Sequence, residues 1–462
     1  MRVGIWAWHS PFDVDSQTDT QLSAVGIDEV FVRTATVSFD GDRYVPTLPQ
    51  SFRATGRRPL HHVLNFDAGA VSHFGEVPND RIASVVVTTY RSAAAEVRRR
   101  GGMPVGLQLD LDCPTRLLPK YGDLLKRVRQ ELAKSEQLSI TGLTTWLTSE
   151  KLKPALDAVD FWAPQFYEGN VPKSLEQRET VSDAKGLRRG LDTLGKLDKP
   201  FYVGVAAYGQ SLLYDPRGQL AGTYRGLSPE QAFRHPSLRF ERTEQVDGES
   251  HFSFLAVKPG RGGRGLGYRI VYRVPSAESV AQSIDLVRSS RPANCRGVIL
   301  FRLAQPDESL ALALPTLAAA VRRELVAPKI VLRKSARSSP YALIEGTGKD
   351  LGMEHAFSLK NEGNGGTRFG TDAVEVVVRF PVGAVESVQA GDFDGVVPFA
   401  GSQESAGRVS LRRADGLVFR RGHLGVGQSA EIGPIRMSKG GKLSVVCRAV
   451  GENGTIVEGT SE

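Results

Sequence analysis

The chain has 462 residues, 40% of them hydrophobic and 24% charged, a balance that excludes a disordered or fibrous protein and fits a large domain plus a smaller one. Its 59 basic and 51 acidic residues leave a net charge of +8; this modest excess bears on association rather than fold, and no nucleic-acid partner is expected. Three cysteines, Cys113, Cys295 and Cys447, are odd in number and widely spaced, which indicates neither a disulfide framework nor a zinc site and leaves the redox compartment open.

The N-terminus, MRVGIWAWHSPF, lacks the charged start, apolar stretch and small-residue cleavage site of a secretory leader. The expectation is a soluble, unexported, cytoplasmic protein; the alternative is an exported or periplasmic one whose leader has been removed. No run approaches the ~20 apolar residues of a membrane span. Residues 2–8 read as a buried strand with Trp6 and Trp8 on one face and His9 just beyond it. A helix over 16–26, a second strand over 27–39 and a third ending at Asp67 follow, then a helix over about 79–100 that stops at Arg100-Gly101-Gly102.

The fourth strand, residues 105–114 (VGLQLDLDCP), alternates apolar and polar residues. Strand geometry puts Gln108, Asp110 and Asp112 on one face and Leu107, Leu109 and Leu111 on the other. An apolar outer face suits a strand covered by helices, and two acids on the inner face need a use, because a charge taken out of water costs several kcal/mol unless it is paired. Helices near 117–134, 149–157 and 181–196 alternate with strands QLSITGLTTWL, VDFWAPQFY and KPFYVGVAAYG. The rhythm breaks over 210–275, an inserted subdomain whose loop PGRGGRGLGYR (259–269) lacks the strand–loop–helix context of a phosphate cradle and reads as flexible. It resumes with a helix over 276–290, the strand RGVILFRL and a closing helix over about 308–325.

Eight strand–helix units predict an α/β fold, a (β/α)8 TIM barrel over 1–327 with an insertion after strand 7. Residues 328–462 carry short β-rich runs, KIVLR, HAFSLKN, AVEVVVRF, RVSLRR and KLSVVCRAV, divided by turn residues. They predict an all-β, immunoglobulin-like sandwich of about seven strands, and no aromatic row there marks a polysaccharide-gripping face. Active sites of such barrels lie at the C-terminal strand ends, which here carry His9, Arg33, Asp67, Asp110, Asp112, Trp146, Gln165, Tyr167, Tyr208 and Phe301 or Arg302. Any of the four tryptophans is equally explained as core filling. His61 and His62 point to opposite faces of one strand and read as satisfied core residues.

In order and wording, the strands over about 1–325 resemble glycoside hydrolase family 18, the chitinase-like barrels. The family's fourth strand carries D-G-x-D-x-D-x-E, an aromatic residue and Pro; here Gly106, Asp110 and Pro114 match, while Val105, Gln108 and Asp112 stand where the family has Asp, Asp and Glu. VDFWAPQFYEG resembles the sixth strand, placing Gln165, Tyr167 and Glu168 on Met-x-Tyr-Asp; KPFYVGVAAYG resembles the seventh with its closing Tyr208-Gly209; and RGVILFRL puts Phe301 where the family has a tryptophan under the sugar. The resemblance implies an oligosaccharide or polysaccharide substrate, hydrolysis assisted by the substrate's own 2-acetamido group, and no cofactor or metal. Asp112 would be the proton donor, Asp110 the stabiliser and Tyr167 a hydrogen-bonding partner of the acetamido group, with Gln108, Gln165, Glu168, Trp146, Tyr208, Phe301, Asp67, His9 and Arg33 binding substrate. An inactive glycan-binding barrel and a metal-dependent hydrolase using His9, Asp67, Asp110 and Asp112 are the alternatives.

Overall fold

Inner and outer faces of the predicted strands separate cleanly in the computed structural model, which describes residues 1–9, 12–47, 52–54, 58–167, 171–259, 265–290, 292–305, 308–335, 339–342, 351–403, 406–407, 409–438 and 442–461. Eight parallel strands, β1 (Arg2–Ala7), β2 (Glu29–Asp40), β3 (Pro59–Phe66), β4 (Met103–Asp110), β5 (Gln137–Leu143), β6 (Phe161–Gln165), β7 (Phe201–Ala206) and β8 (Cys295–Phe301), follow one another around a barrel. It closes because β1 pairs with both β8 and β2, so that Trp6 lies opposite Phe301 on one side and Phe31 on the other. Ile5, Val32, Leu107, Leu109 and Val203 face outward into a shared core with helix residues such as Leu22, Val86, Leu125 and Ile284. Trp6, Phe31, Val63, Phe161, Tyr202 and Ile299 fill the interior.

The covering helices are α1 (Ser16–Val25), α2 (Asn79–Arg99), α3 (Leu118–Glu131), α4 (Lys153–Asp157), α5 (Ala184–Lys196), α6 (Ala277–Ser290) and α7 (Leu314–Arg322). Local chemistry sets their ends: Asp15 caps α1 by accepting from Thr18 N–H at 2.7 Å, Gly26 ends it at φ 85°, and Asp183 caps α5 through Gly186 N–H at 2.7 Å. Two expectations are corrected here. The link from β2 to β3 holds no helix among the described residues; after a turn at Gly41 (φ 65°) the chain folds back as an antiparallel strand, Arg43–Thr47, and Pro46 and Pro49 in that link disfavour a helix. The closing helix is shorter than expected because the residues before it are tied to the end of β7: Tyr208 and Ala311 form a bridge and Leu312 N–H bonds to Ala207 O at 2.9 Å.

The insertion is a five-stranded antiparallel sheet in the order 220–223, 210–214, 269–275, 249–256, 238–246. Residues 260–264 of its Gly/Arg loop lie outside the described residues. After α7 the chain builds two further sheets, one holding Leu351–Asn361 and Ser429–Met437, the other Val374–Arg379, Gly416–Arg421 and Ser444–Val450, and residues of both share one apolar core. Part of RVSLRR, expected as a strand, is instead a 3-10 turn at Leu411–Arg413, where Arg413 N–H returns to Ser410 O at 2.9 Å. No helix among the described residues is long and apolar enough to cross a membrane.

Candidate active site at the barrel mouth

The inner face of β4 begins with Gly106 beside Gln137 of β5, an approach so close that a Cβ would sit 2.4 Å from the Gln137 carbonyl oxygen. Gln108, fully buried, accepts from Trp6 Nε1 at 2.7 Å and donates to Ser139 Oγ at 3.3 Å, bracing β1, β4 and β5 inside the barrel. Asp110 ends the strand and is 7% exposed. Asn65 Nδ2 donates to one of its oxygens and Thr141 Oγ1 to the other, each at 2.6 Å. Burial pushes the Asp110 carboxyl above its ordinary value, while bonds from Thr141, Asn65 and Gln165 and the charge of Arg33 work against the rise without cancelling it.

Aromatic rings cluster at the same end of the barrel. Phe301 stacks on Tyr167 at 5.2 Å and 14°, and meets Tyr208, Trp8 and Trp6 edge-on at 5.0, 5.2 and 5.8 Å. These rings form one packed apolar cluster, with Tyr167 and Tyr208 buried and Trp8 and Phe301 partly buried at its edge. At the rim, Arg302 lies over the Tyr208 ring at 5.8 Å and donates to both Glu308 oxygens, at 2.9 and 2.6 Å. His9 Nε2 contacts the same Arg302 and lies 3.7 Å from Glu308. Burial, then the Arg302 charge, hold His9 below its ordinary value, which keeps the ring neutral near pH 7. Burial alone would raise Glu308, but Arg302 takes it below the usual carboxylate range. Arg33 on β2 lies over Trp8, its guanidinium carbon 5.5 Å from the ring centre.

The structure therefore gathers Asp110, Gln165, Tyr167, Tyr208, Phe301, His9 and Arg33 at one end of the barrel. Other expected members are placed differently. Asp112 is exposed and does not share the burial of Asp110: β4 ends at Asp110 and the chain turns, with Cys113 N–H bonded to Leu111 O at 2.6 Å and both those residues buried. Trp146 stands on a 3-10 turn after β5, 1% exposed in the layer between barrel and helices, donating to Cys113 O at 3.0 Å; like Gln108 it has no surface to give a sugar. Asp67 spends Oδ1 on Ala70 N–H at 2.8 Å as the cap of the short helix Ala68–Ser72. His61 is buried deeper in the barrel, stacked on Phe31 at 4.4 Å, and His62 lies 2.8 Å from Thr34 Oγ1. Glu168 lies outside the described residues. His9, Asp67 and Asp110 thus serve separate partners, and no group of three or more His, Cys, Asp or Glu gathers to hold a metal among the described residues.

Asn65, Thr141 and Glu308 escaped the sequence reading. Asn65 carried a signal, since the β3–β4 register sets it directly opposite Asp110; Glu308 carried none, because its place depends on how the loop after β8 folds. A cavity of about 840 Å³ runs from Trp8, His9 and Glu308 toward Arg322, Gln428 and Glu452, joining the rim to the C-terminal region.

Fold and site together define an eight-stranded parallel α/β barrel with a buried carboxyl under an aromatic mouth. Residues 71–257 match the family described as a domain of unknown function (DUF3142). No curated protein matches the chain. Among solved structures it is similar to the spore cortex-lytic enzyme SleL of Bacillus megaterium QM B1551, at 14% identity and TM-score 0.45 over 71% of this chain and 74% of that one. It is also similar to a chitinase from Chromobacterium violaceum ATCC 12472, at 16% identity and TM-score 0.43 over 70% and 98%. A third likeness is the chitinase-like agglutinin RobpsCRA from Robinia pseudoacacia, at 12% identity and TM-score 0.43 over 69% and 98%.

Proposed function

We propose that the chain is a glycoside hydrolase that cleaves a glycan at the C-terminal mouth of its barrel. The observation that carries this reading is Asp110, a carboxyl buried at the strand end, raised above its ordinary value and fixed through both oxygens, at the same end of the barrel as the Tyr167–Phe301 stack. A carboxyl held in one orientation at the strand end is what stabilising a developing positive charge at a glycosidic carbon requires. In this reading Asp112 donates the proton to the leaving oxygen from the exposed turn, and Asp110 orients and stabilises the charged acetamido group of an N-acetylated substrate. Tyr167 supplies a hydroxyl to that group, and Gln165, Tyr208, Phe301 and His9 line the subsite. We read the two C-terminal sheets as an immunoglobulin-like sandwich over 328–462 that spaces or docks the barrel.

The test is turnover of a panel of neutral and acidic, N-acetylated and unacetylated oligosaccharides. Asp110→Asn and Asp112→Asn each lower turnover by at least ~100-fold, and Asp112→Asn leaves glycan affinity intact; failure of the unsubstituted protein to cleave any panel member overturns the enzyme reading. The exposure of Asp112, one methylene shorter than glutamate, favours a second reading, a barrel that binds glycan without cleaving it. That reading predicts binding to the panel with no turnover.

A further inference from the structure

We propose that the mouth takes a negatively charged sugar, a uronic acid or sulfated residue, whose single anionic group pairs with the Arg33 guanidinium. This inference rests on the glycan reading and narrows its substrate class. Among the described residues, the two arginines of the mouth are treated differently. Arg302 is neutralised by two hydrogen bonds to Glu308. The side chain of Arg33, partly buried, makes no hydrogen bond or ion pair among the described residues, and its guanidinium lies over the face of Trp8. Asp110 is near enough for its charge to act on Arg33, yet its two oxygens are each engaged at 2.6 Å by Asn65 and Thr141.

A guanidinium carries five donors, and burying it beside a second cation without a partner is unfavourable. Burial and the Arg302 charge act against the Arg33 cation, and the Asp110 charge offsets them only in part. A ligand anion would relieve both costs. The planar fork of arginine matches a carboxylate or sulfate edge, and its position over Trp8 lets one residue hold the anion while neighbouring rings hold the sugar body. With Arg302 already paired to Glu308 and the Asp110 charge close by, the mouth has at most one positive charge to offer a ligand, which suits a singly charged group better than a phosphate monoester.

Calorimetric titration with matched oligosaccharides tests this: uronic-acid oligomers of glucuronate, galacturonate and mannuronate, each against its carboxyl-reduced counterpart, and a sulfated oligomer against its desulfated one. The expected result is a preference of at least about tenfold for the acidic member of one pair, weakening as salt rises. Arg33→Gln abolishes the preference, so that the two members of the pair bind equally, and Arg33→Lys retains part of it. The pair that shows the effect distinguishes carboxylate from sulfate. Equal affinities within every pair overturn the inference and leave the glycan reading standing. A preference that survives in Arg33→Gln overturns the assignment to Arg33. Failure of every member to bind overturns both.

Discussion

Two buried carboxyls in one barrel are driven in opposite directions, and their neighbours explain it. Asp110 at the mouth gains hydrogen bonds but loses water, and its carboxyl ends above its ordinary value. Glu29, at the start of β2 and 4% exposed, would also be raised by burial, but His61 at 2.9 Å, with Tyr202 and Arg2, takes it down to about 2. The consequences for stability have opposite sign. A raised acid disfavours the folded state once pH passes its unfolded value, so Asp110 is a cost that the site carries at neutral pH. A depressed acid contributes stability that is complete above pH 4.5 and is lost as pH falls toward 2. Glu29→Gln therefore lowers stability at pH 7 by about 3 kcal/mol, since it leaves His61 and Arg2 without their shared anion. Thermal midpoints of the two proteins measured from pH 7 downward draw together below pH 4.5; a gap that does not change with pH would mean that the Glu29 charge contributes nothing. Sequence alone left Glu29 unnoticed, because its partners come from β1, β3 and β7 and meet it only when the barrel closes.

Strand β4 shows at the level of one element why glycine and glutamine stand among its apolar residues. Gly106 lets β5 approach until only a hydrogen fits, and a Cβ there would also lie 2.9 Å from Gln137 Cβ. Since the obstacle includes backbone, Gly106→Ala forces the two strands apart and costs about 1–3 kcal/mol, read as a lower thermal midpoint; an unchanged midpoint would show that β4 and β5 can shift freely. The strands themselves were legible from sequence, because in a barrel wrapped by helices the inner and outer faces differ in chemistry and the alternation survives in the residues. Irregular ends were not. Alternation extended past Asp110 puts Asp112 on the inner face, whereas the turn closed by Cys113 interrupts the period and leaves Asp112 exposed. The same failure misplaces Trp146, which follows β5 on a 3-10 turn rather than continuing the strand.

Across the whole molecule, the insertion joins the barrel to the C-terminal region through aromatic stacking. Phe369, which follows Leu351–Asn361 in the chain, inserts into the core of the inserted sheet, stacked on Phe252 at 4.2 Å on one side and on His423 at 4.0 Å on the other. Phe233 of the insertion fills the space over Gly422, where a Cβ would meet its ring at 2.5 Å, and Arg234 pairs with Asp394 at 3.3 Å. A second tie runs directly to the barrel, from Thr316 Oγ1 in α7 to Asn364 O at 2.7 Å. None of these contacts uses Asp110, Tyr167 or Arg33, so coupling between the regions and chemistry at the mouth are separable. Phe369→Ala empties a site between two stacked rings, at a cost of about 3–5 kcal/mol, with the loss concentrated at the junction. Calorimetry on the full chain then shows the C-terminal region unfolding ahead of the barrel, while glycan affinity stays within about twofold of the unsubstituted protein. A tenfold loss of affinity in that variant would give the C-terminal region a direct part in binding, through the cavity that reaches from His9 and Glu308 to Gln428 and Glu452.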